Sequence, residues 1–277
     1  MKKINKILIN KDKNEINLDI RYSGNGKKMP VMIYSHGFKS FRNWGFIPLL
    51  CEDLAKNGYI TINHDFSLNG IIDVEKLIFD NDNFHKNTVS QEVEDLLFLI
   101  YSVIHGEINN EIENNWDGQI YLAGHSLGGA VSIMAASHFN EVKKIALLAS
   151  IATLDRNTER QKHFWKKEGY VKIKIAGTKQ ELTLDYNYLK DKEENFKDNA
   201  ILKSAENLDI PALILHPAED LVVKQKEAEA LEQSFKNSQF HLLPHTGHTF
   251  SAKHPLKNRP ETLDKIVELM TDFFRNA

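Results

Sequence analysis

Cysteine is almost absent from this sequence, and neither sign of charge is in large excess. Cys51 is the only cysteine among 277 residues, which excludes an internal disulfide framework and a thiolate-rich metal site. The 35 basic and 38 acidic residues leave a net charge of −3. Because phosphate groups bind clustered, unbalanced positive charge, this composition disfavours a general binder of nucleic acid or of anionic membranes.

Long apolar runs are also scarce, and the two segments nearest to one predict neither a signal peptide nor a membrane span. The N-terminal residues are basic but carry no apolar core of signal-peptide length, so a cytoplasmic location is the default expectation. Residues 120–139 contain no Asp, Glu, Lys or Arg and approach the length of a membrane span. Gly124, Gly128 and Gly129 interrupt this segment, which favours a buried strand, a tight turn and a buried helix.

Hydrophobic periodicity predicts short strands that alternate with longer amphipathic helices. The predicted strands are 4–9, 16–22, 31–35, 59–66, 119–124, 144–150, 210–216 and 239–243. The predicted helices are 43–57, 89–105, 127–139, 224–236 and 260–275. The buried face expected for the second helix consists of Val93, Leu96, Leu97, Ile100 and Ile104. This alternation indicates an α/β fold whose mainly parallel sheet is covered by helices on both faces.

A charge-rich segment, 155–207, interrupts this alternation. It contains two stretches with strand-like alternation, 171–175 and 181–185, which the turn-forming Ala176-Gly177-Thr178 connects into a predicted β-hairpin. Strands and helices alternate again after it. We therefore expect one core, built from 1–154 and 208–277, with the segment 155–207 inserted as a small cap.

The strongest motif is Gly124-His125-Ser126-Leu127-Gly128, which has the form G-x-S-x-G and lies where a predicted strand meets a predicted helix. A serine on such a sharp turn has a strained backbone. Neighbouring chain passes so close that the residues two positions away must lack side chains. The helix that follows directs backbone N–H groups toward the serine and favours negative charge there. The motif therefore predicts Ser126 as a nucleophile.

A nucleophilic serine requires a base, and the base requires an acid that orients it. In folds of this kind the chain order is serine, then acid, then histidine. Asp220 follows the predicted strand 210–216, and His248 follows the predicted strand 239–243. Both belong to loops at the carboxyl ends of parallel strands, where open α/β sheets place their sites. We predict His248 as the general base and Asp220 as its orienting acid.

Both assignments have competitors in the sequence. Two other residues are alternatives for the acid. Glu219 adjoins Asp220, and Asp155 follows the predicted strand that comes after the serine motif. His245 and His254 are the alternatives for the base. His248 is favoured over them because the glycine before it lets the loop turn back toward the serine.

Backbone N–H groups are the expected donors to an oxyanion. The motif Ser35-His36-Gly37-Phe38 follows the apolar strand 31–35, and its glycine permits a turn that presents the N–H of Phe38. Together with the N–H of Leu127, this donor would form a two-donor oxyanion hole. His36 is expected to be a structural hydrogen-bonding residue.

These motifs resemble those of the α/β-hydrolase superfamily over nearly the whole chain. Within it, the chain is most similar to small bacterial serine esterases of the cinnamoyl (feruloyl) esterase and dienelactone-hydrolase-like type. The resemblance rests on Ser35-His36-Gly37-Phe38 followed by Trp44, on Asn63-His64-Asp65-Phe66-Ser67-Leu68-Asn69-Gly70, and on the short insertion with its hairpin. Such esterases carry a small lid over the acyl or aryl group at the place of the insertion.

The resemblance implies an α/β-hydrolase fold, a serine esterase activity, and no metal or other cofactor. It implies a triad of Ser126, Asp220 and His248, with the backbone amides of Phe38 and Leu127 as the oxyanion hole. Dienelactone hydrolases proper use a cysteine where this chain has its motif serine, so Cys51 is expected to take no part. Pro217 stands where such enzymes often have glycine, and it removes one N–H from the loop before the acid.

Aromatic residues are the candidates for the substrate pocket: Trp44, Phe164, Trp165, Tyr186 and Tyr188, with Phe41, Tyr170 and Phe196 as further candidates. The expected partner is a small ester with a short acyl or aryl group. Binding to nucleic acid or to a membrane is not expected, and a homodimer is an open alternative. The alternatives are a small serine aminopeptidase or amidase, or a non-catalytic protein of the same fold. An aminopeptidase would need an acidic recess, for which the cap offers Glu181, Asp185, Asp191, Glu193 and Glu194.

Overall fold

The computed structural model of the chain describes residues 1–24, 26–175, 178–197 and 199–276. Its strands, numbered along the chain, are β1 (Lys2–Ile9), β2 (Glu15–Tyr22), β3 (Met29–Ser35), β4 (Ile60–His64), β5 (Ile71–Asp73), β6 (Ile78–Phe79), β7 (Trp116–His125), β8 (Val142–Leu148), β9 (Tyr170–Lys174), β10 (Glu181–Asp185), β11 (Ala212–Pro217) and β12 (Ser238–Leu243). Its helices are α1 (Ile47–Lys56), α2 (Asn81–His85), α3 (Val89–Ile104), α4 (Asn110–Asn115), α5 (Leu127–Ala136), α6 (Glu159–Glu168), α7 (Tyr186–Asn195), α8 (Ala200–Glu206), α9 (Gln225–Ser234) and α10 (Glu261–Arg275).

Eight of these strands form a central sheet in the order β1-β2-β4-β3-β7-β8-β11-β12. The first two pairs, β1 with β2 and β2 with β4, are antiparallel. Every following pair is parallel. The prediction of a mainly parallel sheet is therefore confirmed, and the carboxyl ends of β3, β7, β11 and β12 lie along one edge.

Apolar side chains on the two faces of the sheet form two separate cores. In β3, Val31 and Ile33 belong to one core and Met32 and Tyr34 to the other, because successive side chains of a strand point to opposite faces. Helices α1 and α10 cover the second core, and α3, α5, α8 and α9 cover the first. Helices on both faces confirm the predicted architecture. Within the described ranges, no helix is long and apolar enough to cross a membrane.

The segment 155–207 contains more helix than its sequence indicates. β9 and β10 form the predicted antiparallel hairpin, while Ala176 and Gly177 of the predicted turn lie outside the described residues. Helices α6 and α7 pack on the hairpin, and α8 follows them along the chain and packs on α5 and α9. The helix α6 buries only Trp165, so its apolar face is too narrow to be recognised from periodicity. The division of the chain into a core and a cap stays a prediction.

Helix α3 packs a face against the core that only partly matches the predicted one, in which Leu96 and Ile100 are buried as predicted. Val93, Leu97 and Ile104, which the periodicity assigns to the buried face, are only half-buried. Glu92 and Asp95 are buried instead. The packed face is thus rotated toward two carboxyl groups, which hydrophobic periodicity alone cannot predict.

Glu92 is a buried acid whose environment favours its neutral form. Burial raises the pKa of Glu92 to about 8, against the hydrogen bond from Asn87 and with a contribution from Asp95 and Asp191. The Nδ2 atom of Asn87 donates to Glu92 Oε1 at 2.8 Å. Among the described residues, Glu92 Oε2 and Asn87 Oδ1 are buried without a hydrogen-bond partner. If Glu92 is protonated on Oε2, that oxygen carries an O–H group and can donate a hydrogen bond. Asn87 Oδ1 is an acceptor that lacks such a donor.

We expect Glu92→Gln to remove a pH-dependent loss of stability. The folded wild type keeps a proton that the unfolded chain releases above a pKa of 4.5, so its free energy of unfolding falls between about pH 4.5 and about pH 8. Each tenfold difference in proton affinity corresponds to about 1.4 kcal/mol. Glutamine stays neutral and can donate to Asn87 throughout. Urea unfolding near the two ends of this pH range measures the difference.

Glu94→Gln is the matched control for this prediction. Glu94 lies on the same helix, is exposed, and pairs with Lys11 at 2.6 Å. Its variant should keep the pH dependence of the wild type. If Glu92→Gln also keeps that dependence, the buried carboxyl group is not its source.

Candidate active site

Ser126 occupies the tight turn between β7 and α5. Its φ is 54° and its ψ is −117°, a conformation that non-glycine residues rarely adopt. The Leu148 carbonyl accepts its N–H at 3.0 Å, and its own carbonyl accepts the N–H of Gly129 at 3.2 Å. The strained residue is therefore fixed on both sides. It stands at the N-terminus of α5, where the helix dipole favours negative charge.

Two glycines of the serine motif are required by close packing. A Cβ atom at Gly124 would lie 2.3 Å from the carbonyl oxygen of Gly128. A Cβ atom at Gly128 would lie 2.3 Å from the carbonyl oxygen of Ser35 in β3. Both separations are far below van der Waals contact, and the atoms in question are backbone. The close approach of neighbouring chain, argued from the sequence, is thus present on both sides of Ser126.

Asp220 and His248 meet beyond the carboxyl ends of β11 and β12. The Oδ2 atom of Asp220 lies 2.8 Å from His248 Nδ1. Its Oδ1 atom accepts the N–H groups of Val222 and Val223 at 2.8 and 2.9 Å. Burial raises the pKa of Asp220, but the hydrogen bonds from His248 and these amides outweigh burial and hold the pKa below its ordinary value. An ionised Asp220 holds the proton of His248 on Nδ1, which leaves Nε2 as an acceptor.

The competitors for these roles lie elsewhere or have other partners. The Asp155 side chain is 70% exposed and pairs with Lys162 at 2.9 Å. The side chains of Glu219 and His245 are 66% and 93% exposed, with 3.9 Å between them. The Nδ1 atom of His254 accepts the N–H of Gly45 at 3.1 Å. None of these contacts joins a competitor to Ser126, Asp220 or His248.

His125 holds the loop that carries His248. Its Nε2–H donates to the carbonyl oxygen of His248 at 2.8 Å. The two ring centroids are 4.7 Å apart. Burial, together with the neighbouring His248 ring, lowers the pKa of His125 to about 3, so the ring stays neutral. This residue of the serine motif positions the predicted base, a role that the bare G-x-S-x-G pattern does not indicate.

The backbone amides of Phe38 and Leu127 are the predicted donors to an oxyanion, and their hydrogen-bond partners bear on that prediction. Within the described residues, neither N–H has an acceptor in the protein. Both residues line the cavity that contains Ser126. Two unpaired N–H groups beside a serine can stabilise an alkoxide that forms there.

His36 fixes the peptide bond that carries one of these donors. Its Nδ1–H donates to the carbonyl oxygen of Gly37 at 2.9 Å, and its Nε2 accepts from Phe66 N and Asn69 Nδ2, both at 3.3 Å. Burial lowers the pKa of His36 to about 4, which matches this neutral tautomer. Because the C=O and N–H of a trans peptide point in opposite directions, holding the Gly37 carbonyl also orients the N–H of Phe38.

Two cavities meet at Ser126 and His248. The smaller lobe, defined by Phe41, Trp44 and Phe79, encloses about 420 Å³. The larger lobe encloses about 1240 Å³ beside the segment 155–207 and includes Leu127, Leu154 and Trp165. In the part of the chain that the structure describes, no hydrogen bond joins Ser126 Oγ to His248. The two side chains share both lobes, and a bound substrate would occupy the space between them.

The predicted pocket aromatics divide between these lobes. Trp44 and Phe41 line the smaller lobe, whereas Phe164, Trp165, Tyr170 and Tyr188 line the larger one. Tyr186 lines neither lobe and packs on the core, and Phe196 lines a separate cavity. The rings of Trp165 and Tyr188 are buried and stacked, with centroids 6.2 Å apart, and form one wall of the larger lobe.

Comparison of the sequence with known protein families gives a match over part of the chain. A family model described as lipase (class 3) matches residues 69–154, a range that includes Ser126 but neither Asp220 nor His248. No curated protein sequence matches the chain.

Solved structures match over almost the full length. Est1E from Butyrivibrio proteoclasticus has a TM-score of 0.70 at 18% identity, with 98% of this chain and 97% of that chain covered. The mouse alpha/beta hydrolase domain-containing protein 10 has a TM-score of 0.72 at 18% identity, with 98% of both chains covered. A dienelactone hydrolase from Anabaena variabilis has a TM-score of 0.64 at 13% identity, with 99% of this chain and 98% of that chain covered. The chain therefore has the α/β-hydrolase fold that its motifs predict.

Proposed function

We propose that this protein is a serine carboxylesterase that cleaves small carboxylic esters. One observation carries the proposal. Ser126, on a strained turn at a helix N-terminus, shares a cavity with His248, and the buried Asp220 holds His248 at 2.8 Å. This arrangement contains the nucleophile, base and orienting acid that acyl transfer through a serine requires.

The first half of the proposed reaction forms an acyl-enzyme. The Oγ atom of Ser126 attacks the ester carbonyl carbon while His248 Nε2 takes the hydroxyl proton. The resulting alkoxide accepts hydrogen bonds from the N–H groups of Phe38 and Leu127. The bond between the carbonyl carbon and the alcohol oxygen then breaks, and His248 gives its proton to the leaving alcohol.

The second half releases the acid. His248 takes a proton from water, and the hydroxide oxygen adds to the acyl carbon of the ester on Ser126. The same two amides stabilise the second alkoxide. When the bond to Ser126 Oγ breaks, His248 returns its proton to the serine, and the carboxylic acid leaves. Every proton is transferred by His248, whose charged form Asp220 stabilises.

The charges around the larger lobe favour this proposal over an aminopeptidase. An aminopeptidase needs carboxylates to bind the ammonium group of its substrate. The five acidic residues offered by the segment 155–207 line neither lobe: Glu181, Asp185, Asp191, Glu193 and Glu194. The larger lobe instead has five cationic lining residues and one carboxylate: Lys39, Arg156, Arg160, Lys172, Lys192 and Glu168. A cationic substrate would be repelled there.

The acyl or alcohol part that we propose is short aliphatic or aryl. The larger lobe has an aromatic wall, Trp165 against Tyr188, that suits a planar ring. Est1E, a structural neighbour, has also been solved with ferulic acid bound, at a TM-score of 0.71 and 18% identity. We further propose that the segment 155–207 acts as the cap over this lobe, since α6 and the hairpin supply much of its lining.

The esterase proposal is tested by comparing substrates. We expect turnover of para-nitrophenyl acetate and butyrate, and little or no turnover of aminoacyl anilides. Faster cleavage of the anilides would favour the aminopeptidase. If neither class is cleaved and a fluorophosphonate probe does not label the protein, the protein is non-catalytic and the proposal is wrong.

His36→Ala should lower kcat for ester cleavage while KM changes little. Without the Nδ1–H donor, the Gly37 carbonyl keeps only the N–H of Ser40, at 3.1 Å, as a hydrogen-bond donor, so the direction of the N–H of Phe38 is less firmly fixed. Loss of a whole oxyanion donor costs about 10²–10³ in kcat. We expect about a tenfold loss here, because the donor is misdirected rather than removed. Steady-state kinetics with para-nitrophenyl butyrate measure it.

His105→Ala is the control for His36→Ala. The Nδ1 atom of His105 also donates to a backbone carbonyl, that of Tyr101, at 2.9 Å, but it lies at the end of α3 and lines neither lobe. Its removal should leave kcat unchanged. An equal loss of kcat in both variants would argue against a positioning role for His36.

A further inference from the structure

The larger lobe has an apolar interior. Its buried lining residues are Leu127, Ile151, Leu154, Trp165, Leu184 and Tyr188. A cavity of about 1240 Å³ with such walls accommodates a substrate part considerably larger than an acetyl group. The interior alone does not select between neutral and charged molecules, because charged groups of a substrate would remain at the solvent-exposed rim.

The rim of this lobe is exposed and positively charged. Two of its cations donate hydrogen bonds within the protein. Arg156 donates to both carboxylate oxygens of Glu227 at 2.8 Å, and Lys192 donates to Leu154 O at 3.2 Å and to Asn157 Oδ1 at 3.0 Å. These two residues therefore contribute charge, but their donors are largely occupied.

Arg160 is different, because its guanidinium group is uncommitted. Among the described residues it has no ion pair and no side-chain hydrogen bond. It is exposed and lines the larger lobe. A guanidinium group offers a planar fork of donors that matches a carboxylate in a two-pronged arrangement.

The position of Arg160 in helix α6 gives no structural reason for a cation. It lies in the first turn, directly after Glu159, where the helix dipole disfavours positive charge. Arg160, Phe164 and Glu168 recur every four residues and so share one face of α6, and all three line the lobe. Phe164 is 55% exposed. An exposed aromatic ring next to an unpaired arginine forms an amphipathic edge to the cavity.

We propose that the larger lobe selects esters whose apolar part ends in a carboxylate, with Arg160 as the residue that binds this anion. The inference rests on the proposed esterase function. The ester carbonyl lies at Ser126, the apolar part fills the lobe along Trp165 and Tyr188, and the terminal carboxylate reaches Arg160 at the rim. Lys172, also at the rim, already pairs with Glu181 at 3.9 Å and adds little to the positive field.

Two pairs of substrates test the proposal, and each pair differs only in a terminal carboxylate or carboxamide. The first pair, with the charge on the acyl side, is the para-nitrophenyl half-ester of adipic acid and para-nitrophenyl adipamate. The second, with the charge on the alcohol side, is para-acetoxybenzoate and para-acetoxybenzamide. We expect the carboxylate member of at least one pair to have the higher kcat/KM. Added salt should reduce this preference, because the rim is exposed.

Arg160→Glu should lower that preference about fivefold or more, mainly through KM of the carboxylate member, because attraction is replaced by repulsion at an exposed site. Lys166→Glu is the matched control. Lys166 is an exposed cation on the same helix that does not line the lobe, and its variant should keep the wild-type preference. Urea unfolding of both variants tests whether they fold with wild-type stability.

The outcomes separate this inference from the function on which it rests. If the carboxamide esters are cleaved but neither pair shows a preference that responds to Arg160→Glu, the anion site is wrong while the esterase stands. An equal loss for both members of a pair would also overturn it, since the effect would not depend on charge. If no member of either pair is cleaved while para-nitrophenyl butyrate is, the anion site is wrong and the esterase stands; if para-nitrophenyl butyrate is not cleaved either, both proposals fail.

Discussion

Ser126→Ala should reduce kcat for ester cleavage by about 10⁴-fold or more and abolish labelling by a fluorophosphonate probe. Alanine lacks the Oγ atom that would form the acyl-enzyme, and Ser126 is the only serine among the described residues that line the larger lobe. Because alanine is smaller and the turn is held by backbone hydrogen bonds to Leu148 and Gly129, the fold should be kept. Initial rates with para-nitrophenyl butyrate and gel detection of the labelled protein give two independent measurements.

Ser137→Ala is the control for this experiment. Ser137 is an exposed serine at the other end of the same helix, α5. Its variant should be labelled and should turn over substrate at the wild-type rate. Labelling that persists in Ser126→Ala would show that another residue reacts with the probe, and the assignment of the nucleophile would then be wrong.

Asp220→Asn should lower kcat by about 10³–10⁴-fold with little change in KM. The Oδ2 atom of Asp220 lies 2.8 Å from His248 Nδ1 and keeps the proton on that nitrogen. An asparagine amide can donate to Nδ1 instead, which would favour the tautomer with its proton on Nε2 and block that atom from accepting the serine proton. The stabilisation of the charged imidazole by the carboxylate would also be lost. Stopped-flow or steady-state rates measure the loss.

Asp155→Asn distinguishes the predicted acid from its strongest competitor. Asp155 is mostly exposed, pairs with Lys162, and lines a cavity separate from the one at Ser126. Its variant should retain wild-type kcat. A larger loss in Asp155→Asn than in Asp220→Asn would reassign the orienting acid and would require that the loop after β8 move toward His248.

Much of the fold could be predicted because parallel strands that are buried on both faces appear as short apolar runs. The runs at β3, β7, β8 and β11 are of this kind, and their order with the intervening helices indicates the sheet. The helices around the hairpin could not be predicted, since α6 buries a single side chain, Trp165. The short hairpin of β5 and β6 and the helices α2 and α4 escape prediction because elements of two to six residues have too few positions to show a period.

The candidate site could be predicted where backbone geometry restricts residue type. Gly124 and Gly128 have no room for a side chain, so the two glycines of the motif indicate the tight turn in the sequence itself. The supporting contacts are different in kind. His36 was expected to form structural hydrogen bonds, but the carbonyl oxygens that His36 and His125 hold, those of Gly37 and His248, depend on the tertiary structure. The position of Tyr186 also could not be predicted from the sequence. It was expected in the pocket, but in helix α7 it packs on the core.

Cys51 has a practical consequence for measurements on the native chain. It is fully buried in helix α1 against the sheet, and burial raises the pKa of its thiol to about 12. Alkylating reagents attack the thiolate of an accessible cysteine, so iodoacetamide should modify the protein only when α1 separates from the sheet. Since the chain has no other thiol, the rate of alkylation reports how often this face opens. The unmodified protein thus contains its own probe of local unfolding in this part of the fold.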